Sequence, residues 1–210
     1  LFITFEGPEG SGKTTQIPLL AQCLTERGLK VIQVREPGGT PIGDQVRSIL
    51  HDLKNQAMDA RAELLLYSAS RAQLVAQTIR PHLAAGDVVL CDRYADSTLA
   101  YQGYGRGLDL DALQQITAFA TGGLKPDLTL YLDIDPEQGL ARRNLGGDEW
   151  NRMDALALDF HRRVRAGYFQ LVAADPARWV TIDASPPVEA VRQAILAVVV
   201  ERLKSQGFRV

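Results

Sequence analysis

Eight consecutive residues, Gly7-Pro8-Glu9-Gly10-Ser11-Gly12-Lys13-Thr14, have the types and spacing needed to hold a chain of phosphates. The pattern G-x-x-x-x-G-K-[ST] is a Walker A box, and it stands in its proper context, after an apolar run over 1–6 and before a helical pattern. Glycines let the backbone curl so that several N–H groups face one anion. The following helix adds the positive end of its dipole. Lys13 has the length and charge to reach β- and γ-phosphates, and the Thr14 hydroxyl suits Mg²⁺. A chance glycine-rich turn does not account for strand, box and helix together.

Such a loop does not say what is done with the nucleotide, so the other motifs must choose. Asp92 ends the apolar run Val88–Asp92, where an acid holds Mg²⁺ directly or through water. Beside it, Arg93 is a fork suited to a second, acceptor phosphate; a surface salt bridge is the plainer reading. Arg35-Glu36-Pro37-Gly38-Gly39-Thr40 is a rigid turn whose backbone approaches something closely, or simply a tight strand-to-helix connection. Tyr67 and Arg71 are four apart and share a helix face, so a ring and a guanidinium can clamp a planar base. A core tyrosine beside a salt-bridged arginine fits that spacing at least as well. Residues 97–107 (Ser-Thr-Leu-Ala-Tyr-Gln-Gly-Tyr-Gly-Arg-Gly) read as a loop that starts near the reaction centre and can read a base edge and a sugar. The polar stretch from Arg142 to Arg152, with Gly146-Gly147 and Arg143, reads as a mobile lid bringing positive charge to a transferring phosphoryl group, or as a solvated loop. Arg163 and Arg165 either support it or face water.

The elements that must position these groups follow from periodicity. Beyond residues 1–6, the short apolar runs Val31–Arg35, Val88–Asp92, Leu128–Asp133 and Trp179–Asp183 are expected as buried parallel strands. Helical patterns at 15–27, 42–53, 60–85 (interrupted by Pro81), 111–120, 136–143, 154–174 and 188–204 alternate with them. The expectation is an α/β, doubly wound, five-stranded parallel sheet with helices on both faces, its ligands beyond the carboxyl ends of the strands. At 210 residues, one domain over 1–210 with a lid at about 142–153 is the simplest organisation. A net charge of −2 gives no duplex nucleic-acid surface. No apolar run is long enough to cross a bilayer, neither end reads as a signal peptide, and Cys23 and Cys91 lack metal spacing, so a reducing, cytoplasmic setting is expected.

Taken together, Gly7–Thr14, the Arg-Glu-Pro-Gly-Gly-Thr turn at 35–40, Ser70-Arg71-Ala72-Gln73, Asp92-Arg93-Tyr94, Ala100-Tyr101-Gln102-Gly103 and the run from Pro126 to Asp133 resemble the bacterial thymidylate kinases through nearly the whole chain. The resemblance implies a P-loop nucleotide kinase fold, ATP and Mg²⁺, dTMP as acceptor, and a homodimer. It implies ATP on Gly7, Pro8, Glu9, Gly10, Ser11, Gly12, Lys13, Thr14 and Thr15, and Mg²⁺ at Thr14 and Asp92. For dTMP it implies Glu9 at the sugar 3′-hydroxyl, Tyr67 stacked on thymine, Arg71 and Thr98 at its edge, Tyr101 crowding the 2′ position, and Arg93 on the phosphate. Arg35, Pro37 and Gln102 complete the pocket. Lys13, Asp92, Arg93, Arg142, Arg143 and Arg152 form the implied catalytic set. The phosphate loop carries no arginine, which suits the variant of the family whose catalytic arginine is in the lid. The lid departs from the usual pattern in ending Asn151-Arg152-Met153-Asp154.

Two other readings remain open on the residues alone. One is a different nucleoside monophosphate or deoxynucleoside kinase, with Glu36 or Asp92 as base for a hydroxyl acceptor. The other is a P-loop switch ATPase without a small acceptor, which leaves Arg93, Tyr67 and Arg71 without a task.

Overall fold

The computed structural model describes residues 1–145 and 151–208. Five strands, β1 (Phe2–Glu6), β2 (Val31–Arg35), β3 (Val88–Asp92), β4 (Leu128–Asp133) and β5 (Trp179–Asp183), form one parallel sheet in the order β2-β3-β1-β4-β5. All pairs run in register without a break, Phe5 beside Asp92 and Leu130, and Arg35 beside Asp92. β1 is central, with β3 on one side and β4 on the other. The chain direction of winding reverses there, which opens a crevice beyond the ends of β1 and β3.

Strand side chains alternate between two cores. Ile3 and Phe5 of β1, with Leu90, Leu130 and Leu132, pack under α1 (Lys13–Glu26) and α9 (Val188–Ser205). On the opposite face Phe2, Val89 and Cys91 meet Leu74, Val75 and Ile79, while Tyr131 and Trp179 meet Phe160, Val164 and Tyr168. α2 (Pro41–His51) and α3 (Ala60–Leu74) pack together at the β2 side of the site. Thr40 caps α2 by accepting from the Gly43 N–H, and Pro41 occupies its first turn. Asp59 caps α3.

Three expectations need correction. Pro81 does not interrupt the long helix. The path runs through a π-helical stretch, Val75–Ile79, into α4 (Arg80–Ala84), the wider turn accommodating the missing proline N–H. Residues 97–107 are largely not a loop. Instead α5 (Ala95–Thr98) runs into a second π-helical stretch, Leu99–Gly105. Its glycines lower helix propensity, but the segment packs so tightly on α8 (Leu158–Ala174) that a Cβ at Gly105 would lie 2.6 Å from the Phe160 ring. α8 begins at Leu158 rather than Asp154, because residues 151–154 form a turn closed by Asn151 Oδ1, which accepts from the Met153 N–H, and by the Asp154 carboxylate, which accepts from the Asn151 N–H. α6 (Leu110–Thr121) precedes β4, and α7 (Pro136–Leu145) leads into the segment expected as a lid. Gly146-Gly147 and the rest of 146–150 lie outside the described residues.

Candidate active site

The phosphate loop turns directly off β1. Gly7 has φ +145°, and a Cβ there would lie 2.4 Å from the Leu132 carbonyl oxygen. Gly10, at φ +68°, faces Gly139 of α7 so closely that a Cβ on either would run into the other strand of backbone, 1.9 Å from Gly139 O or 2.3 Å from Glu9 O. Lys13 is buried, and its ammonium donates to Gly7 O (3.0 Å), Pro8 O (2.9 Å) and Ser11 Oγ (3.0 Å). Burial and the nearby Arg93 lower it to about 8.

The loop opens on a cleft of about 880 Å³ shared by Lys13, Thr14, Asp92 and Arg93. Arg93 follows β3 in the left-handed region, φ +66°, a conformation that only the surroundings can enforce on a non-glycine residue. Its backbone N–H donates to Phe5 O, and its guanidinium lies 4.8 Å over the Tyr101 ring and donates to Glu9 Oε1 at 3.0 Å. Glu9 also accepts from the Tyr101 hydroxyl at 2.8 Å, and His161 Nδ1 is 3.4 Å from its Oε2. Burial alone would raise the Glu9 carboxyl; Arg93, His161 and Lys13 outweigh it and hold the group well below the usual carboxylate range. Glu6, fully buried at the end of β1, accepts from Tyr94 N–H, Ser97 Oγ and Tyr168 Oη, and so pins the segment that follows Arg93.

At the far end of the cleft Arg71 is buried and aims its Nε at Glu36 (2.7 Å), one terminal nitrogen at Thr98 Oγ1 (2.8 Å) and the other at Tyr94 O (3.0 Å). Burial pushes the Glu36 carboxyl up to about 7 against the pull of Arg71. Tyr67, on the same face of α3, lines the cleft with its hydroxyl pushed up to about 12 by burial and by Glu63. Arg35, Pro37, Thr98, Tyr101 and Gln102 line it too. The Glu36–Pro37 bond is cis, and Arg47 of α2 donates to Pro37 O at 2.9 Å.

The three arginines of the segment expected as a lid part company. Arg143 lines the cleft and pairs with Asp154. Arg142 donates to the Ala184 and Ser185 carbonyls at 2.7 and 2.8 Å. Arg152 is buried, with Nε on Leu50 O and a terminal nitrogen 2.5 Å from Glu63. Arg163 donates to Gly105 O, and Arg165 to Asp133. Pro8, Ser11, Gly12 and Thr15 lie in or just behind the loop without lining the cleft, as does Gly7. Sequence reasoning passed over Glu63, Arg47, Tyr168 and His161. Glu63 was detectable, being four before Tyr67 and eight before Arg71 on one helix face. Arg47 carries no local signal on α2, and only the fold brings it to Pro37.

Comparison with known proteins gives the family and the fold. The family model described as Thymidylate kinase matches residues 5–195. A thymidylate kinase of Roseiflexus sp. is 55% identical, with 98% of this chain and 96% of the relative covered. One from Solidesulfovibrio magneticus is 53% identical, with 95% and 98% covered. The crystal structure of thymidylate kinase from Ehrlichia chaffeensis superposes with a TM-score of 0.78 at 34% identity, covering 95% of this chain and 98% of that one. With the family matched over nearly its full length and a cleft of this form, the chain belongs to the thymidylate kinase family.

Proposed function

We propose that the protein transfers the γ-phosphoryl group of ATP to dTMP, giving ADP and dTDP. The observation that carries this reading is the meeting in one cleft of two separate cationic holders, Lys13 in the phosphate loop and Arg93 beyond β3, with Tyr67, Arg71 and Gln102 at the other end. An oxygen of the dTMP phosphate forms the new bond to the γ-phosphorus as the bond to the bridging β–γ oxygen breaks. The second pKa of a phosphate monoester is about 6, so the acceptor is already largely dianionic at neutral pH and needs no strong base. Asp92 then positions rather than deprotonates. The difficulty is bringing two anions together, and the positive groups offset it.

In this reading Gly7, Pro8, Glu9, Gly10, Ser11, Gly12, Thr14 and Thr15 cradle ATP, and Lys13 exchanges its three loop contacts for phosphate oxygens. Arg93 grips the acceptor phosphate. Glu9 accepts the 3′-hydroxyl, Tyr101 crowds the 2′ position, and Tyr67 stacks on thymine. Arg71 and Thr98 read the base edge, and Arg35, Pro37 and Gln102 close the pocket. Arg143 carries positive charge to the transferring group, while Arg142 and Arg152 anchor the ends of a lid at 142–153 within one kinase domain. Thr14 and Asp92 supply oxygen donors only, neither side chain has a hydrogen-bond partner among the described residues, and no group of three or more His, Cys, Asp or Glu forms a closed metal cage there. That sparse, hard donor set fits Mg²⁺, which keeps waters and binds mainly through substrate phosphates. When bound, Mg²⁺ neutralises charge developing on the phosphate oxygens.

The buried free thiols Cys23 and Cys91 suit a cytoplasmic setting, and no helix among the described residues is long and apolar enough to cross a membrane. Exposed Ile42 and Ile49 on α2, Leu65 on α3 and Phe119 on α6 support a homodimer, checked by mass in solution. The function is tested by ADP release with dTMP, dUMP, dCMP, dGMP and thymidine as acceptors. Turnover of dTMP above the rest is expected. Turnover without any acceptor, or with thymidine in preference, refutes the reading.

A further inference from the structure

Glu63 does not line the cleft, yet it is fully buried and accepts hydrogen bonds from three donors brought from two distant segments. These are Gln102 Nε2 at 2.8 Å, Arg106 at 2.9 Å and Arg152 at 2.5 Å. Burial works against its charge, but Arg106, Gln102 and Arg152 lower the carboxyl below its ordinary value. A carboxylate can only accept, so the end of the Gln102 amide that meets it is the –NH₂ group. Gln102 Oε1 has no protein partner among the described residues, is not sealed off from solvent, and belongs to a residue that lines the cleft. The cleft is therefore offered an acceptor at this position.

We infer that Glu63 is a specificity-determining residue that works through Gln102: it locks the amide so that the pocket takes a pyrimidine carrying a ring N–H beside a carbonyl and rejects one carrying a bare ring nitrogen beside an amino group. The inference deepens the dTMP reading above and rests on it. Arg71 supplies the complementary half. Three of its five N–H groups are used by Glu36, Thr98 and Tyr94, and those remaining are donors suited to the base carbonyl. Thymine matches both groups. Cytosine opposes both, acceptor to acceptor at Oε1 and donor to donor at Arg71. Without the Glu63 charge, the Gln102 amide can turn over without change of shape and present –NH₂ to cytosine. Glu63 touches no reacting atom and is a positioning residue.

The test is the ratio of kcat/KM for dTMP to that for dCMP. In Glu63→Gln it is expected to fall by about ten- to a hundredfold, the scale of one mismatched buried hydrogen bond. Arg106→Gln also removes a partner of Glu63 but leaves Gln102 held, so the ratio is expected to stay. If Glu63→Gln alone does not fold, the charge-balanced pair Glu63→Gln/Arg106→Gln is compared with Arg106→Gln. In a Gln102→Leu background Glu63→Gln is expected to have no further effect on the ratio. In the wild-type protein, the side-chain amide protons of Gln102 are expected to exchange slowly with and without dTMP. An unchanged ratio in a folded, dTMP-active Glu63 variant overturns the inference, as does an equal shift in Arg106→Gln or solvent-rate exchange at Gln102. A wild-type protein that ignores dTMP overturns the parent reading instead.

Discussion

Truncating Arg93 separates what its side chain does from what its backbone requires. The guanidinium is gripped by Glu9 at 3.0 Å, lies over Tyr101, and stands beside Lys13 at the mouth of the phosphate loop. A fork donating two charge-assisted hydrogen bonds to the acceptor phosphate contributes about 3–6 kcal/mol. Its loss also leaves Glu9 facing the incoming dianion. Arg93→Ala is therefore expected to lower kcat/KM for dTMP by about 10²–10⁴. Arg93→Gly is expected to lose as much activity but to be more stable than Arg93→Ala, because φ is +66° and an alanine there keeps a left-handed cost of about 1 kcal/mol. For a chain of this size that is about 2–4 °C in Tm. Coupled ADP release and thermal unfolding measure the two effects. If Arg93→Ala remains within fivefold of the wild type, or if the glycine variant is no more stable than the alanine variant, the reasoning fails.

Tyr101→Phe removes the hydroxyl that donates to Glu9 at 2.8 Å, and the preference for dTMP over its ribonucleotide counterpart is expected to fall by about tenfold in competition assays. Lys13 at about 8 loses its charge in the free enzyme as pH rises through that value, so kcat/KM for ATP is expected to decline above pH 8, while kcat of the phosphate-bound complex holds to higher pH. Because the folded value lies below the ordinary 10.5, the same group makes the apoprotein gain stability between about pH 8 and 10.5, which thermal unfolding across pH reads. Arg143→Ala is expected to lower kcat by about 10³ with little change in KM for dTMP, whereas Arg142→Ala costs much less, its donors being spent on Ala184 and Ser185; single-turnover kinetics separates them.

How much of this was legible before folding differs by element. All five strands stand in the sequence as apolar runs with sharp ends; polar residues enter their interiors only at Thr4 and Thr129, which meet across the sheet, and at the exposed Gln33 and Thr181 of the edge strands β2 and β5. That Tyr67 and Arg71 share one helix face was readable from their spacing, but not that Arg71 is buried against Glu36. The 97–107 segment was not, because its glycines argue for a loop and only contact with α8 makes a helix of them. Nor did local pattern tell Arg142, Arg143 and Arg152 apart. Arg142 and Arg152 are turned by partners some 40 to 100 positions away, Ala184 for one and Leu50 for the other, while Arg143 pairs with Asp154 only 11 positions on, and nearest-neighbour chemistry does not choose between these outcomes.

Where Gly10 and Gly139 meet, main chain rests on main chain with nothing between. Neither position can drift alone: a methyl group on one would pry the nucleotide cradle off the helix that leads toward Arg143, and no shrinkage of the opposite residue remains to make room. The two sites, 129 positions apart, thus form a single joint, at which the phosphate loop and α7 have no room to close up further.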